Sequence, residues 1–207
     1  MTASEIARLL DAELEGGADP DITGAAPLDR AGPRDLSIVA RARYLPYLQR
    51  SSAGLLLVTS ELADRVPDRL PRIVSDDVYA ALAVVLPRLY PERRAEPGIH
   101  DTATIATDAT IGADVSIGPG AVVEPGARLG DRCRIGAHTV VGRECELAED
   151  VVLHPHVTVY AGTRIGSRSI IHSGARLGVD GFGYAAVDGV PRKIPQVGGC
   201  GIGADVE

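Results

Sequence analysis

The side chains of this chain best suited to acid–base or metal chemistry are five histidines. Four of them form two pairs at a spacing of 18 residues, which would bring the rings of each pair together if the chain coils with that period. Zinc needs three or four converging ligands, and no carboxylate partner accompanies these pairs in the sequence. We therefore predict no metal site, with the histidines at turns and outer edges. They are His100, His138, His154, His156 and His172.

The spacing of 18 is explained by a six-residue repeat that runs without insertion from Ile99 to Phe182. Each of its fourteen hexads begins with Ile, Val or Leu, and the fifth residue is always small. Neither a helix nor a flat strand has a period of six, so the repeat predicts a left-handed parallel β-helix with three hexads in each triangular coil. The leading residues would point inward, and the glycines that often follow them would allow turns with positive φ. The alternative to a β-helix is a β sandwich in which aliphatic residues recur every six positions by chance.

Residues 1–96 lack the repeat and predict a small α/β domain, whereas residues 97–207 form the β-helix domain. Strands are predicted over residues 22–26, 35–39, 53–58 and 73–74, and the continuous apolar run of 53–58 predicts a buried strand. Helices are predicted over residues 2–14, with Ser4 as the cap, over 43–49, and over 77–89, with Asp76 as the cap. Pro91–Pro97 is predicted to be a linker.

Composition excludes several classes of protein. The chain has 207 residues, of which 45% are hydrophobic but only 3% aromatic, as expected for an aliphatic solenoid core. A net charge of −7 argues against nucleic-acid binding. No run of about 18 apolar residues is present to span a membrane, and Met1–Leu10 lacks the layout of a signal peptide. The three cysteines show no metal or redox spacing, so we predict a reducing, cytoplasmic location.

The repeat is interrupted once, by residues 183–201, before a last hexad at Ile202–Glu207. This segment must leave the prism as a loop, and long excursions from a regular scaffold often carry function. The chain then ends without a polar cap, and solenoids need capped ends. We expect that further coils are missing from this chain or that a partner covers the last one.

Several short motifs resemble the UDP-3-O-acylglucosamine N-acyltransferases of lipid A synthesis. The amino-terminal part is similar to that family's uridine-binding domain, and the resemblance covers nearly the whole chain but not the whole family length. The motifs that carry it are Leu153–Tyr160, Ile171–Ala175, Asp180–Tyr184 (DGFGY), Lys193–Gly198 (KIPQVG) and the closing Ile202–Glu207, with Ala26–Leu28, Asp35–Ser37, Tyr44 and Ser52–Gly54 upstream.

The resemblance implies an enzyme that moves a 3-hydroxyacyl chain from acyl carrier protein to the 2-amino group of UDP-3-O-acylglucosamine. It implies a homotrimer with active sites between neighbouring prisms, and no cofactor. The family's catalytic histidine belongs to a hexad beyond Glu207, so no catalytic residue is assigned here and this chain is expected to be inactive as it stands. The alternatives are a non-catalytic nucleotide-sugar-binding or scaffolding β-helix protein, and a transferase for another nucleotide sugar.

The resemblance also implies substrate-binding residues in the α/β domain. Tyr44 matches the family's uracil-stacking tyrosine, although it could instead be a helix-face packing residue. The partner aromatic is replaced by Ile38, which can still cover a base face, and the family's asparagine is replaced by Arg41, which could meet the diphosphate.

Four substrate-binding candidates lie around the excursion. Phe182 would form a wall of the acyl or sugar cleft, or else plug the top of the prism. Asp180 would accept hydrogen bonds from the glucosamine or orient the loop. Lys193 and Gln196 would reach the neighbouring subunit, and Lys193 would screen phosphate or stay solvated.

Overall fold

The computed structural model describes residues 1–16, 18–91 and 96–207. The chain divides into two compact units, Met1–Arg93 and Arg94–Glu207. Residues 92–95 of the predicted linker lie outside the described residues, as does Gly17.

The first unit is a five-stranded sheet with helices. Its strands follow the order β1-β5-β4-β3-β2, with β2 to β5 parallel and β1 antiparallel to β5. The predicted strand over residues 35–39 is confirmed; those predicted over 22–26 and 53–58 are present but shorter, and the one predicted over 73–74 begins one residue earlier, at Arg72. The elements are α1 (Ala3–Leu9), β1 (Leu14–Glu15), β2 (Gly24–Ala25), β3 (Asp35–Val39), α2 (Leu45–Leu48), β4 (Leu55–Val58), β5 (Arg72–Val74) and α3 (Val78–Leu89), with 3₁₀ helices at Ala42–Tyr44 and Ser60–Arg65.

Both predicted helix caps are wrong by one or two residues. Thr2, not Ser4, caps α1, because its hydroxyl accepts from Glu5 N while the Glu5 carboxylate accepts from Thr2 N. The helix ends at Leu9 rather than at residue 14, and the chain turns at Asp11, whose φ is 51°. Asp77 caps α3, and Asp76 instead accepts a 2.6 Å hydrogen bond from Ser60 Oγ.

Strand β4 forms the centre of this unit, since all four of its residues are buried. Leu55 and Leu57 pack into one cluster with Ile6 and Val85, while Leu56 packs into the cluster on the other side of the sheet. A strand covered on both faces explains the continuous apolar run in the sequence.

The second unit is the predicted prism. Its strands form three parallel five-stranded sheets, β6-β9-β12-β15-β18, β7-β10-β13-β16-β19 and β8-β11-β14-β17-β22, which confirms a hexapeptide-repeat β-helix of five coils. The strands are β6 (Gly98–Ile99), β7 (Thr104–Ile105), β8 (Thr110–Ile111), β9 (Ser116–Ile117), β10 (Val122–Val123), β11 (Arg128–Leu129), β12 (Arg134–Ile135), β13 (Val140–Val141), β14 (Glu146–Leu147), β15 (Val152–Leu153), β16 (Thr158–Val159), β17 (Arg164–Ile165), β18 (Ile170–Ile171), β19 (Arg176–Leu177), β20 (Tyr184–Val187), β21 (Val190–Lys193) and β22 (Gly201–Ile202).

The glycines that follow the leading residues were predicted to allow positive φ, but of these only Gly178 adopts it. At Gly136 an added Cβ would lie 2.4 Å from Pro155 N and 2.6 Å from His154 C in the next coil. Glycine is therefore required there for close stacking of backbones. Positive φ instead occurs at the fourth hexad position, at Asp114, Gly120, Gly126, Arg132, His138, Glu144, Asp150, His156, Gly162, Arg168, Gly174 and Asp205.

Polar residues at the fifth position donate side-chain hydrogen bonds to the coil above. Cys133 Sγ donates to Ala148 O at 3.0 Å, and Thr139 Oγ1 donates to His154 O at 2.8 Å. Thr163 is the exception, because its buried hydroxyl has no partner in the described structure. It lies below Gly178, where φ is 80° and the chain leaves the prism.

The interior cysteines are inert by burial. Cys133 and Cys145 are fully buried, as predicted for small apolar positions. Burial raises the pKa of the Cys133 thiol to about 11 and raises the pKa of Cys145 as well. Both thiols are therefore protonated at neutral pH.

One corner of the prism carries a column of alternating charges at the fourth hexad position. It runs Asp114, Arg132, Asp150, Arg168 and Asp205, one residue for each coil. Arg132 binds both carboxylate oxygens of Asp150 at 2.9 and 2.7 Å. Arg168 binds Asp205 in the same way at 2.7 and 2.6 Å, and this interaction lowers the pKa of Asp205.

The interruption is a β-hairpin rather than an irregular loop. Strands β20 and β21 pair antiparallel from Tyr184↔Lys193 to Val187↔Val190. The turn between them is Asp188–Gly189, with φ values of 51° and 75°, as in a two-residue hairpin turn. The chain then rejoins the prism at β22, which pairs with β17.

Candidate functional site

The first unit contains a cavity of about 470 Å³. Its walls come from the end of β2 and the segment after it, from β3, from the Ala42–Tyr44 3₁₀ helix and α2, and from α3. Most of the lining is apolar. The lining residues are Ala25, Ala26, Pro27, Leu28, Asp29, Leu36, Ser37, Ile38, Tyr44, Tyr47, Leu82 and Leu86.

Two of the predicted uridine-site residues, Ile38 and Tyr44, line this cavity together. Both are half-buried, and Ile38 belongs to the central part of β3, which fixes its direction. Arg43 contacts the Tyr44 ring, with its guanidinium carbon 4.9 Å from the ring centroid. Arg43 Nη2 also donates to Tyr44 Oη at 2.9 Å. The arrangement presents one aromatic ring and one aliphatic side chain to the same space.

Tyr47 is a lining residue that the sequence analysis did not include. It is 49% exposed and follows Tyr44 by three residues across the 3₁₀ helix and α2. A spacing of three in helical structure puts two side chains on the same face, and this signal was available in the sequence. A second ring therefore stands in this wall although the family's partner aromatic is replaced by Ile38.

Arg41 is exposed at the N-cap of the Ala42–Tyr44 helix and is not part of the cavity lining. The charged side chain in the described lining is Asp29, whose carboxylate lies 4.0 Å from Arg30 Nε. Ala25 N donates to Tyr90 Oη at 2.8 Å, which ties β2 to the residue after α3 and fixes that side of the cavity.

The candidates in the second unit gather at the base of the hairpin. Lys193 forms an ion pair with Asp180, so it is not simply solvated. Phe182 is 96% exposed with its ring centroid 5.2 Å from that of Tyr184, and the alternative that it plugs the prism is wrong. Gln196 is also exposed. These side chains form an exposed group rather than an enclosed pocket.

The histidine pairs stack as the 18-residue period predicts. The ring centroids of His154 and His172 are 5.1 Å apart, and those of His138 and His156 are 5.3 Å apart. His172 Nε2 lies 2.9 Å from Glu207 Oε1, so the expectation that no carboxylate accompanies the pairs is wrong for His172. Within residues 1–16, 18–91 and 96–207, no three His, Cys, Asp or Glu side chains are grouped so that they could hold a metal ion.

Comparison with known proteins matches both units. Residues 19–87 match the family model of UDP-3-O-(3-hydroxymyristoyl) glucosamine N-acyltransferase, and residues 99–143 match the model of the bacterial transferase hexapeptide. The chain is thus a hexapeptide-repeat β-helix protein with an amino-terminal α/β unit.

More specific matches come from the UDP-3-O-acylglucosamine N-acyltransferases. That of Pseudomonas putida KT2440 is 45% identical over 207 residues, 100% of this chain and 58% of the relative. That of Pseudomonas fluorescens Pf0-1 is 47% identical over 98% of this chain and 57% of the relative. The resemblance is confirmed: the chain is similar to these enzymes and spans a little over half of their length.

Among solved structures, the acetyltransferase domain of PglB from Neisseria gonorrhoeae FA1090 matches at 20% identity and a TM-score of 0.38, over 68% of this chain and 80% of that chain. A score this low supports no argument about function. None of the helices described here is long and apolar enough to cross a membrane.

Proposed function

We propose that the chain is the substrate-binding part of an N-acyltransferase that moves a 3-hydroxyacyl chain from acyl carrier protein to the 2-amino group of UDP-3-O-acylglucosamine. The observation that supports this most is the cavity lined by Ile38, Tyr44 and Tyr47, which lies within the segment that matches the family model. Flat, largely apolar walls suit a pyrimidine ring, which gains stacking and dispersion energy against them.

In the proposed reaction the amine nitrogen attacks the carbonyl carbon of the acyl thioester. A C–N bond forms, the C–S bond breaks, and the thiol of the carrier leaves with a proton. A general base must accept a proton from the attacking amine, and N–H groups must stabilise the oxyanion. We assign neither role to a residue of this chain, and the reaction requires no cofactor. Asp180, Phe182, Lys193 and Gln196 remain our candidates for the sugar and acyl end.

We further propose that the protein is a homotrimer, as the family resemblance implies. The outer face of the sheet β7-β10-β13-β16-β19 supports this, since its central outward residues Val122, Val140 and Thr158 are uncharged. The face of β8-β11-β14-β17-β22 carries Arg164 and Glu146 in an ion pair at 3.3 Å, which suits solvent. Sedimentation equilibrium at micromolar concentration is expected to show three chains in each particle, and a monomer would contradict this proposal.

The cytoplasm is the compartment that we propose, since both the acyl carrier protein donor and the nucleotide-sugar acceptor would be supplied there.

The nucleotide site is tested by replacing Tyr44. We expect the chain to bind UDP in isothermal titration calorimetry and Tyr44→Ala to weaken binding by about tenfold or more, because a base stacked on an aromatic ring contributes on the order of 1–3 kcal/mol. Tyr79→Ala is the matched control, since Tyr79 is a 54% exposed tyrosine of α3 outside the cavity. Equal affinities of wild type and Tyr44→Ala would refute the assignment.

A further inference from the structure

The cavity in the α/β unit is suited to the nucleoside but not to its phosphates. Its described lining is apolar apart from Ser37, the two tyrosine hydroxyls, main-chain groups and the Asp29 carboxylate. A diphosphate placed inside would lose water and would also lie near a carboxylate of the same sign. The phosphates of a bound nucleotide must therefore lie outside the lining. A cationic side chain that contacts the cavity wall from there would be in a position to bind them.

Arg43 is such a cation. Its guanidinium covers the Tyr44 ring at 4.9 Å from the centroid and donates one hydrogen bond to Tyr44 Oη, at 2.9 Å. A guanidinium has five N–H donors in a planar fork that matches phosphate oxygens, so one bond to a hydroxyl leaves most of that capacity for an anion. Arg43 is exposed, and a phosphate could approach it without being buried.

The alternative cations are less well placed. Arg41 is exposed at the N-cap and outside the lining, whereas Arg43 directly contacts Tyr44 of the cavity wall. Arg30 lies beside the Asp29 carboxylate, which reduces its attraction for a second anion. We propose that Arg43 recognises the diphosphate of the bound nucleotide, and that the site distinguishes a nucleoside diphosphate from the free nucleoside through this residue. The inference rests on the proposed nucleotide site.

The test compares UDP with uridine on four forms of the full chain, namely wild type, Arg43→Ala, Arg43→Lys and Arg41→Ala. Wild type is expected to bind UDP about tenfold more tightly than uridine, because hydrogen bonds to a charged group are the stronger kind. Arg43→Ala should reduce the UDP affinity to near that for uridine and change the uridine affinity less than about twofold. Arg43→Lys should keep part of the preference, since it keeps the charge without the fork. Arg41→Ala should preserve both affinities.

Three results would overturn the proposal: an unchanged UDP preference in Arg43→Ala, a loss of the preference in Arg41→Ala, or an equal loss of UDP and uridine binding in Arg43→Ala. The last would mean that Arg43 only holds the tyrosine ring. In each case wild type still binds UDP, so the proposed nucleotide site survives. Absence of both UDP and uridine binding in wild type would instead refute the proposed nucleotide site itself, and Arg43's role with it. Far-UV circular dichroism checks that all four forms are folded.

Discussion

Gly136→Ala is expected to destabilise the prism by about 3 kcal/mol or more, although it adds a single methyl group. The new Cβ would lie 2.4 Å from Pro155 N, 2.6 Å from His154 C and 2.9 Å from Leu153 O. All three are main-chain atoms of the next coil, so no side-chain rotation relieves the overlap. The coils would have to separate locally, which would weaken the parallel pairing of β12 with β15.

The measurement is thermal or urea unfolding, together with hydrogen exchange of the amides in β12 and β15. Gly201→Ala is the control, because an added Cβ there has no atom within 4 Å and the φ of Gly201 is not in the left-handed region. It should change stability by less than about 0.5 kcal/mol. If Gly136→Ala were as stable as Gly201→Ala, steric exclusion between coils would not be the reason for glycine at the second position.

Leu57→Ala is expected to cost about 2–5 kcal/mol in the free energy of unfolding of the α/β unit. Leu57 is 0% exposed in the middle of β4 and packs against α1 and α3 through the cluster that contains Ile6 and Val85. Its removal leaves a void between a sheet and helices that are held by other contacts, so little collapse can compensate.

The helical circular dichroism signal reports this unit, since α1, α2 and α3 all lie within residues 3–89. Val84→Ala is the control because Val84 is an α3 residue that is 48% exposed, and its replacement should change stability by less than about 0.5 kcal/mol. A Leu57→Ala protein whose helical signal is lost at the same urea concentration as wild type would show that β4 is not the centre of the core.

Much of the prism was predictable from sequence because its period is set by backbone geometry. Every leading aliphatic falls in the two-residue strand of its hexad, as at Ile117 and Leu153. The role of the second-position glycines was not predictable, because a glycine required by positive φ and one required by close stacking look the same in sequence. The residues that do adopt positive φ include Arg132 and Glu144, which no turn propensity would have selected.

The α/β unit shows what local patterns can and cannot predict. The strand over residues 35–39 was predictable from the local sequence. The helix caps were misplaced because each helix start offers two residues of a good capping type, Thr2 and Ser4 for α1, and Asp76 and Asp77 for α3. Which of two neighbouring caps is used depends on tertiary contacts, such as the Ser60 hydrogen bond to Asp76.

The candidate site was found only in part. Ile38 and Tyr44 meet in one cavity, whereas Tyr47 was not predicted because it lies in none of the motifs that carry the resemblance. The Asp180–Lys193 pair depends on the hairpin register, which brings residues 13 positions apart together. The hairpin itself was signalled by the Asp-Gly turn at residues 188–189, with valine on both sides.

The column of alternating charges favours the stacking of the coils in their order along the chain. The aliphatic interior is nearly the same at every level, so a coil could be skipped and looped out with little change in core packing. Skipping the coil of Arg132 would place Asp114 next to Asp150, and skipping the coil of Asp150 would place Arg132 next to Arg168, so either skip sets two like charges against each other. The native order of coils instead sets Arg132 against Asp150 and Arg168 against Asp205. The column continues across the hairpin, because Asp205 lies one level beyond Arg168 and binds it through both carboxylate oxygens.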